Sequence, residues 1–453
     1  MARSCGTTKS LSFTPPTWFI PSAATLFRGN PIPRQPYTET VTNQHSESAR
    51  TQPAQTLPVS LLAGLALLSA AAPFGADTYL ASFVEIAREF SMTESMVQLT
   101  LTTFMIGMAA GQLVIGALSD SLGRKKLLLI ATLVFLGSSI LCAVAPNIGT
   151  LIAMRLFQGL AGGSTVVLAR SVVPDLLTGK ASAKAFSTLM GISSIAPAIA
   201  PLVGGFLGPA FGWRSVFWFL AAINVAMVAI VVLMVPETLP PERRSTGALR
   251  NLLPNIGRLL RRPVFVGYLL AFAGGFSVMF SYIAASPFIF QELLGLTPTQ
   301  FSLVFASNAA MLTFVSILNG KMINRLHPRK GILIALTVML VASIGLIINA
   351  IVGITFFTTW LLLFITVPMM PLIFANATAL GIEEVRDIGI GSGSGLMGFT
   401  QFLAAATVSP LVGLGSNLPL SMAISMLTCA LIALIAVLTL TRADLHKRSH
   451  RLP

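Results

Sequence analysis

The chain has 453 residues, of which 54% are hydrophobic and only 10% charged, with mean hydropathy +0.83. Soluble domains carry about 25% charged residues, so a chain this apolar cannot keep a wet surface, and the bilayer must be its solvent. The net charge of +14 does not indicate a nucleic-acid partner, because the basic residues are scattered between apolar runs instead of gathered with aromatics in one domain.

Residues 1–56 are polar and rich in Pro, Ser and Thr. Their short apolar patches around Trp18 and Leu26 are broken by Pro15, Pro16 and Pro21, so no secretory h-region forms. The expectation is a disordered cytoplasmic tail, or an upstream extension from a misassigned start. Twelve apolar runs follow, near 58–83, 96–118, 127–145, 150–172, 185–207, 214–235, 264–290, 300–320, 331–351, 356–380, 389–413 and 418–441. Each is long enough to cross a bilayer. In lipid the backbone must satisfy itself, so the runs predict helices and an all-α integral membrane protein.

Lys and Arg set the expected orientation. With the N-terminus in the cytoplasm, 26 of the 29 fall in the tails and inner segments, with Arg170 counted among them. Only Arg88 and Arg214 lie outside, and Arg155 lies within a run. This asymmetry predicts both termini inside. The basic, Pro-bearing segment 236–263 splits the chain into halves of six runs, 57–235 and 264–441, followed by a cytoplasmic tail, 442–453. A weak repeat supports the split. "GALSDSLGRKK" from Gly116 matches "GKMINRLHPRK" from Gly320. Two related halves holding a substrate near the midplane are the plan of a secondary transporter.

Asp77 is the only acid inside an apolar run, and Arg155 the only base well within one. An ionisable residue at membrane depth costs at least ~2.5–3.5 kcal/mol on insertion scales and is a functional hypothesis by default. Both lie in the outer half of their runs and could face one cavity. The structural alternatives are an acid that ends the first helix at the interface, and a buried strut paired with Arg155. In the stretch from Gly116 to Leu129, Gly116 lets helices approach, and Gly123 permits a tight turn. Asp120 sits at a helix C-terminus that its charge disfavours, so it wants a partner such as Arg124.

This loop resembles the cytoplasmic signature between the second and third helices of the major facilitator superfamily. "RLFQGLAGG" from Arg155 resembles the fourth-helix motif of its proton-coupled members. "GISSIAPAIAPLVGG" from Gly191 resembles the fifth-helix motif of the drug:proton antiporters. "GADTYLASF" resembles the first-helix acid motif of the bicyclomycin- and chloramphenicol-resistance branch. Two positions depart from the usual pattern: Ala81 stands where a Pro is common, and Ala196-Pro197 stands for Gly-Pro. The resemblance covers about 57–441. It implies that Asp77 is the protonatable acid and that Arg155 takes part in proton movement. It implies further that Asp120 and Arg124 latch the second helix against the start of the eleventh. Gly191, Pro197, Pro201, Gly204 and Gly205 would shape the fifth helix at the interface between halves.

Tyr79, Gln158, Phe276, Phe280, Asn308, Asn376 and Gln401 are candidate substrate-lining residues, each of which could equally bond or pack against a neighbouring helix. Phe272 joins Phe276 and Phe280 in a stripe on the seventh helix. "GSGLMG" at Gly393–Gly398 matches a dinucleotide pattern, but with no strand before it the run reads as close packing. Cys5, Cys142 and Cys429 are far apart, and the four His lie outside the runs, so no disulfide framework, metal site or other cofactor is expected. No ATP-binding loop and no enzyme motif is present. The expectation is therefore a monomeric, twelve-helix exporter of drug-like molecules in a bacterial cytoplasmic membrane, driven by protons. Its rivals are an exporter of one metabolite, such as a sugar or osmolyte, on the same fold, and a membrane sensor or channel.

Overall fold

The computed structural model describes residues 57–442, apart from 178, 194, 241, 243, 245–247 and 323–324. The two tails expected from sequence lie outside the described residues, except Arg442. Twelve helices are long and apolar enough to cross a membrane. They are α1 (Val59–Glu89), α2 (Glu94–Ile115), α3 (Arg124–Ala143), α4 (Ile148–Leu176), α5 (Lys184–Phe211) and α6 (Trp213–Leu233), then α7 (Pro263–Leu293), α8 (Pro298–Met322), α9 (Pro328–Val352), α10 (Phe356–Glu384), α11 (Gly391–Gly413) and α12 (Leu418–Leu440). Every expected run is a helix, with ends moved by a few residues. A separate amphipathic helix, Ala248–Leu260, lies in the segment between the halves.

One basic residue sits elsewhere than expected. Arg170 belongs to α4 and not to the loop after it, because that helix runs on through Pro174 to Leu176. Its Nε is buried without a hydrogen-bond partner. Arg155 is therefore not the only base inside a span.

Helix ends alternate between two faces. The ends joined by the α2–α3 turn carry Arg124, Lys125 and Lys126, and we refer to that side as the basic face. Within the first half, α2 and α4 pack backbone to backbone. A Cβ on Gly107 or Gly111 would strike carbonyls of Leu156 and Leu160, and one on Gly159 or Gly163 would strike carbonyls of Phe104 and Met108. Small residues four apart on both partners permit this approach, which is how helices associate where lipid removes the hydrophobic drive.

The apolar core divides unevenly. Toward the opposite face one continuous cluster joins both halves, with Tyr79, Phe83, Val97 and Phe217 of the first half beside Phe288, Phe290 and Phe301 of the second. Toward the basic face the first half keeps a cluster of its own, including Leu65, Leu128, Val172 and Val231. The hydrogen bonds follow the same division. Among the described residues three run from one half to the other: Gln98 Nε2 to Ala284 O at 3.1 Å, Gln291 Nε2 to Ala81 O at 3.2 Å, and Thr299 Oγ1 to Gly205 O at 2.9 Å. All three lie toward the opposite face. The halves are thus closed together on that side, with Phe83 of α1 packed on Phe288 of α7 at 5.9 Å.

Candidate functional site

Helix α1 is not continuous. It runs as Val59–Ser69 and Ala71–Asp77, turns at Thr78–Tyr79, and resumes through a short 3₁₀ segment, Leu80–Ser82, into Phe83–Glu89. Asp77 ends the second piece, so it stands at the break. It is 7% exposed, and its carboxylate makes no hydrogen bond or ion pair among the described residues. Thr78 returns its hydroxyl to Phe74 O at 2.7 Å. The break is backed by α5. A Cβ on Gly204 would collide with the carbonyl oxygen of Thr78, and one on Gly208 would lie 2.8 Å from Ser82 Oγ. Gly205, turned the other way, faces Ser302 of α8 across the junction of the halves. Pro197 sits in the first turn of this stretch, and Pro201 is buried inside it. The space beside Gly191 is open, so packing demands no glycine there.

Arg155 is fully buried but does not pair with Asp77. Its Nη1 donates to Gly75 O at 2.9 Å and to Gln158 Oε1 at 2.5 Å. Its guanidinium lies 4.1 Å from the ring centre of Tyr79 and 4.0 Å from that of Phe104. Desolvated contacts of this type are worth about 2 kcal/mol or more each, which offsets part of the cost of a cation in a span. Gln158 in turn donates to Ser139 Oγ at 2.8 Å, and Tyr79 hydrogen bonds Thr100 at 3.2 Å. Tyr79 and Gln158, candidates for substrate contact, are both spent on holding Arg155.

Across the junction of the halves, Tyr282 of α7 is buried. Tyr282 accepts a hydrogen bond from Asn308 Nδ2 of α8 at 3.2 Å and stacks on Phe305 at 5.5 Å. Tyr282 was not singled out in the sequence. A Tyr four residues before Ser286 in an apolar run was the available signal, and only the tertiary fold gives it weight.

The other candidates lie apart. Phe276 packs on Phe280 at 4.7 Å and on Phe402 of α11 at 5.3 Å, and Phe272 packs on Phe374 of α10 at 4.0 Å, so the stripe meets neighbouring helices. Asn376 donates to Asn319 Oδ1 at 3.2 Å and to Leu372 O at 2.8 Å near the basic end of α10. Gln401 is buried on α11 with its Oε1 unpartnered.

On the basic face Gly123 adopts φ +94°, a conformation open to glycine, and turns the chain into α3. Arg124 donates its backbone N–H to Glu237 Oε1 at 2.9 Å, its Nε to Asp175 Oδ2 at 3.1 Å, and Nη1 to Ser119 Oγ. Thr238 also donates to Asp175, at 2.9 Å. The described contacts therefore clamp this loop to the ends of α4 and α6. The side chain of Asp120 lies outside the described residues. Asp175 and Glu237 went unremarked in the sequence, although each follows a Pro at the end of an apolar run. Gly116 faces Val167 of α4 at ordinary contact distance. Contact of α2 with α11 comes one turn earlier, where Gly398 leaves room for Gln112 Oε1. Among the described residues no cluster of His, Cys, Asp and Glu could hold a metal ion.

Residues 65–410 match the model of the Major Facilitator Superfamily. An uncharacterised MFS-type transporter of Bacillus subtilis, YdgK, is 33% identical over 387 residues, 85% of this chain and 96% of the relative. A bicyclomycin resistance protein homologue of Haemophilus influenzae is 29% identical over 385 residues, with the same coverage. The multidrug resistance protein MdtL of an Escherichia coli strain is 27% identical over 277 residues, 61% of this chain and 70% of the relative. Among solved structures, a D-xylose–proton symporter superposes with TM-score 0.68 at 16% identity, over 85% of this chain and 96% of that one. At that identity the superposition speaks to fold alone.

Proposed function

The chain belongs to the major facilitator superfamily, a family of multi-pass membrane transporters and not enzymes, and from that premise we propose that it is a proton-coupled antiporter exporting drug-like small molecules. One observation carries the reading. Asp77 is buried at a break in α1 and makes no hydrogen bond or ion pair among the described residues. A carboxyl so placed gains and loses a proton at low cost in local rearrangement, because no ion pair has to break. The bicyclomycin and multidrug resistance relatives support a drug-like substrate.

With the basic face in the cytoplasm, as the charge asymmetry supports, the side on which the halves are joined faces outward. In the cycle we propose, Asp77 takes a proton while the site faces the more acidic outside. Reorientation exposes it to the cytoplasm, the proton leaves, and substrate occupies the vacated site. The halves then rock back about that fixed position. Arg155, held in its aromatic cage behind the break, supplies positive potential that favours release of the proton. No metal or organic cofactor is needed, since the proton gradient supplies the work.

The test joins growth and flux. A strain expressing the chain is screened against a panel of toxic compounds, and the compound with the strongest protection is carried into proteoliposomes under an imposed pH gradient. Uphill movement that collapses with the gradient is the expected result. Protection against nothing, or flux indifferent to the gradient, overturns the reading. Proton-driven movement of a single sugar or osmolyte, with no protection against toxic compounds, establishes the metabolite-transporter alternative.

A further inference from the structure

We propose that the helix Ala248–Leu260, which lies in the segment between the halves, is a membrane-surface element that docks on anionic lipid headgroups of the leaflet at the basic face.

The helix has three sides. Its inward side carries Asn255, Ile256 and Leu259. Leu259 is fully buried, Ile256 packs against the apolar core, and Asn255 Nδ2 donates to Ser392 Oγ of α11 at 3.3 Å. The helix also meets the segment Gly116–Leu122 of the first half and α7 of the second, so it is seated on this side and the other two face away. Leu253, Gly257 and Leu260 follow at i, i+4 and i+7 and share one outer stripe. Leu253 is 76% exposed and Leu260 50%, and a Cβ on Gly257 would meet nothing within 4 Å. Arg258 and Arg261 are also exposed. They stand three apart, on the edge beside that stripe. Neither makes a hydrogen bond or ion pair among the described residues, whereas Arg262 pairs with Asp387 at 2.5 Å.

On a spanning helix an exposed leucine meets acyl chains. This helix has 13 residues, about 20 Å of length, which is too short to cross roughly 30 Å of hydrocarbon. The partner for its stripe is within reach all the same. Helix α7 begins at Pro263, and the short chain from Leu260 to that start extends about 11 Å at most. Leu260 is thereby tethered to the membrane surface. An apolar stripe edged by cations is the pattern of helices that lie in the headgroup region with their apolar side at the acyl boundary. The guanidinium fork matches phosphate, and each cation near an anionic leaflet strengthens binding about fivefold, so charge favours anionic over zwitterionic lipid. A second copy docked symmetrically on this face would bring Arg258 and Arg261 against their like.

The test places one cysteine, Gly257→Cys, in the full chain with native Cys5, Cys142 and Cys429 replaced by Ser, and attaches an environment-sensitive fluorophore to it. Single copies are reconstituted in nanodiscs of phosphatidylcholine alone or of an equal mixture with phosphatidylglycerol, each doped with a lipid that carries a nitroxide high on its acyl chain. Docking is read as quenching by the nitroxide together with shielding from aqueous acrylamide. Phosphatidylglycerol should raise the docking equilibrium about tenfold or more, as two arginines near an anionic surface supply. Arg258→Gln with Arg261→Gln should hold that rise under about threefold. Leu253→Ser with Leu260→Ser should weaken nitroxide quenching in both lipids. These four side chains are exposed, so an unchanged thermal midpoint is expected of both variants. A label open to acrylamide in both lipids, equal docking in both, a full phosphatidylglycerol response in the arginine variant, or quenching indifferent to loss of both leucines overturns the proposal. So does shielding that appears only when several copies share one vesicle, which would assign the stripe to a second copy of the chain.

Discussion

Gly204 of α5 and Thr78 of α1 approach so closely that a Cβ on the glycine would collide with the threonine carbonyl oxygen. That carbonyl belongs to the turn just after Asp77, so the fifth helix abuts the break that positions the acid. The next residue, Gly205, faces Ser302 in the second half. One short stretch of α5 thereby touches both the acid-bearing break and the seam between halves.

Gly204→Ala should therefore displace the break. The rigid partner is backbone, so relief requires movement of one helix, at about 1–3 kcal/mol for overpacking. Transport should fall by at least tenfold and the thermal midpoint in detergent should drop. Gly191→Ala is the matched control, because a Cβ there meets nothing within 4 Å. It should keep wild-type flux. Equal behaviour of the two variants would show that contact at Thr78 has no bearing on transport.

Asp77→Asn tests coupling. If proton and cationic substrate compete at this carboxyl, wild-type affinity for the substrate weakens as pH falls, since protons occupy the site. The Asn variant carries no titrating group there, so its affinity should be low and flat with pH. Substrate added to solubilised wild type should release protons, and the variant should release none. Exchange of a neutral compound down its own gradient should survive. A variant that retains the pH slope of wild type would assign the proton to another group.

Arg155→Lys tests the aromatic cage. Lysine keeps the charge but cannot lie flat between Tyr79 and Phe104 while reaching Gly75 O and Gln158, because it lacks the planar fork. Uphill export should rank wild type, Arg155→Lys, Arg155→Ala, with the lysine variant reduced about tenfold or more on the scale of one lost charge-assisted contact. Gln158→Leu should resemble the lysine variant. Full activity in Arg155→Ala would reduce the cage to a packing device.

The contacts of Arg124 on the basic face make a separate prediction. Arg124 and Asp175 pair at 3.1 Å with side chains 11% and 19% exposed. Their contact is worth more than an open surface pair, about 1–2 kcal/mol, toward the lower values for hydrogen bonds to charged groups. Asp175→Asn and Glu237→Gln should each lower the detergent thermal midpoint, and their effects should fall short of additive because both meet Arg124. Strict additivity would mean the two acids act independently.

Much of this was legible in the sequence for plain physical reasons. Apolar runs of spanning length fixed twelve helices, and the polar, basic stretch between the sixth and seventh marked the halves. Asp77 stood out because an acid in lipid is costly wherever the rest of the chain goes. What escaped detection depends on residues distant in sequence. No Pro or Gly occupies positions 77–82, so nothing local announced the break there. The Thr78 carbonyl in that break is met by Gly204, more than a hundred residues later. Arg155 and Asp77 looked like natural partners by charge and depth, yet rings of Tyr79, Phe104 and Phe217 enclose the guanidinium instead. Arg170 was counted with the loop after the fourth run, whereas α4 runs on through Pro174 and carries it partly buried near its end. Tyr282 gains its weight only from the meeting of α1, α7 and α8.

The seam on the opposite face yields the last prediction. Gln291 to Ala81 and Thr299 to Gly205 are two of the three hydrogen bonds that, among the described residues, join the halves there. Both donors are side chains and both acceptors are backbone carbonyls, so the donors can be removed without disturbing a helix. Net loss of each bond costs about 0.5–1.5 kcal/mol. Removing both, as Gln291→Leu with Thr299→Val, should shift the equilibrium between closed and open states of this face by one to two orders of magnitude. Ser82 reports the change. It is 2% exposed, lies between Asp77 and the seam, and its Oγ has no partner, so Ser82→Cys is nearly isosteric. In a chain whose native Cys5, Cys142 and Cys429 are replaced by Ser, a membrane-impermeant maleimide added outside should label Ser82→Cys slowly. The double substitution should speed labelling at least several-fold, while label added from the cytoplasmic side should slow. Identical rates in both backgrounds would mean that apolar packing such as Phe83 on Phe288, and not these hydrogen bonds, holds this face shut.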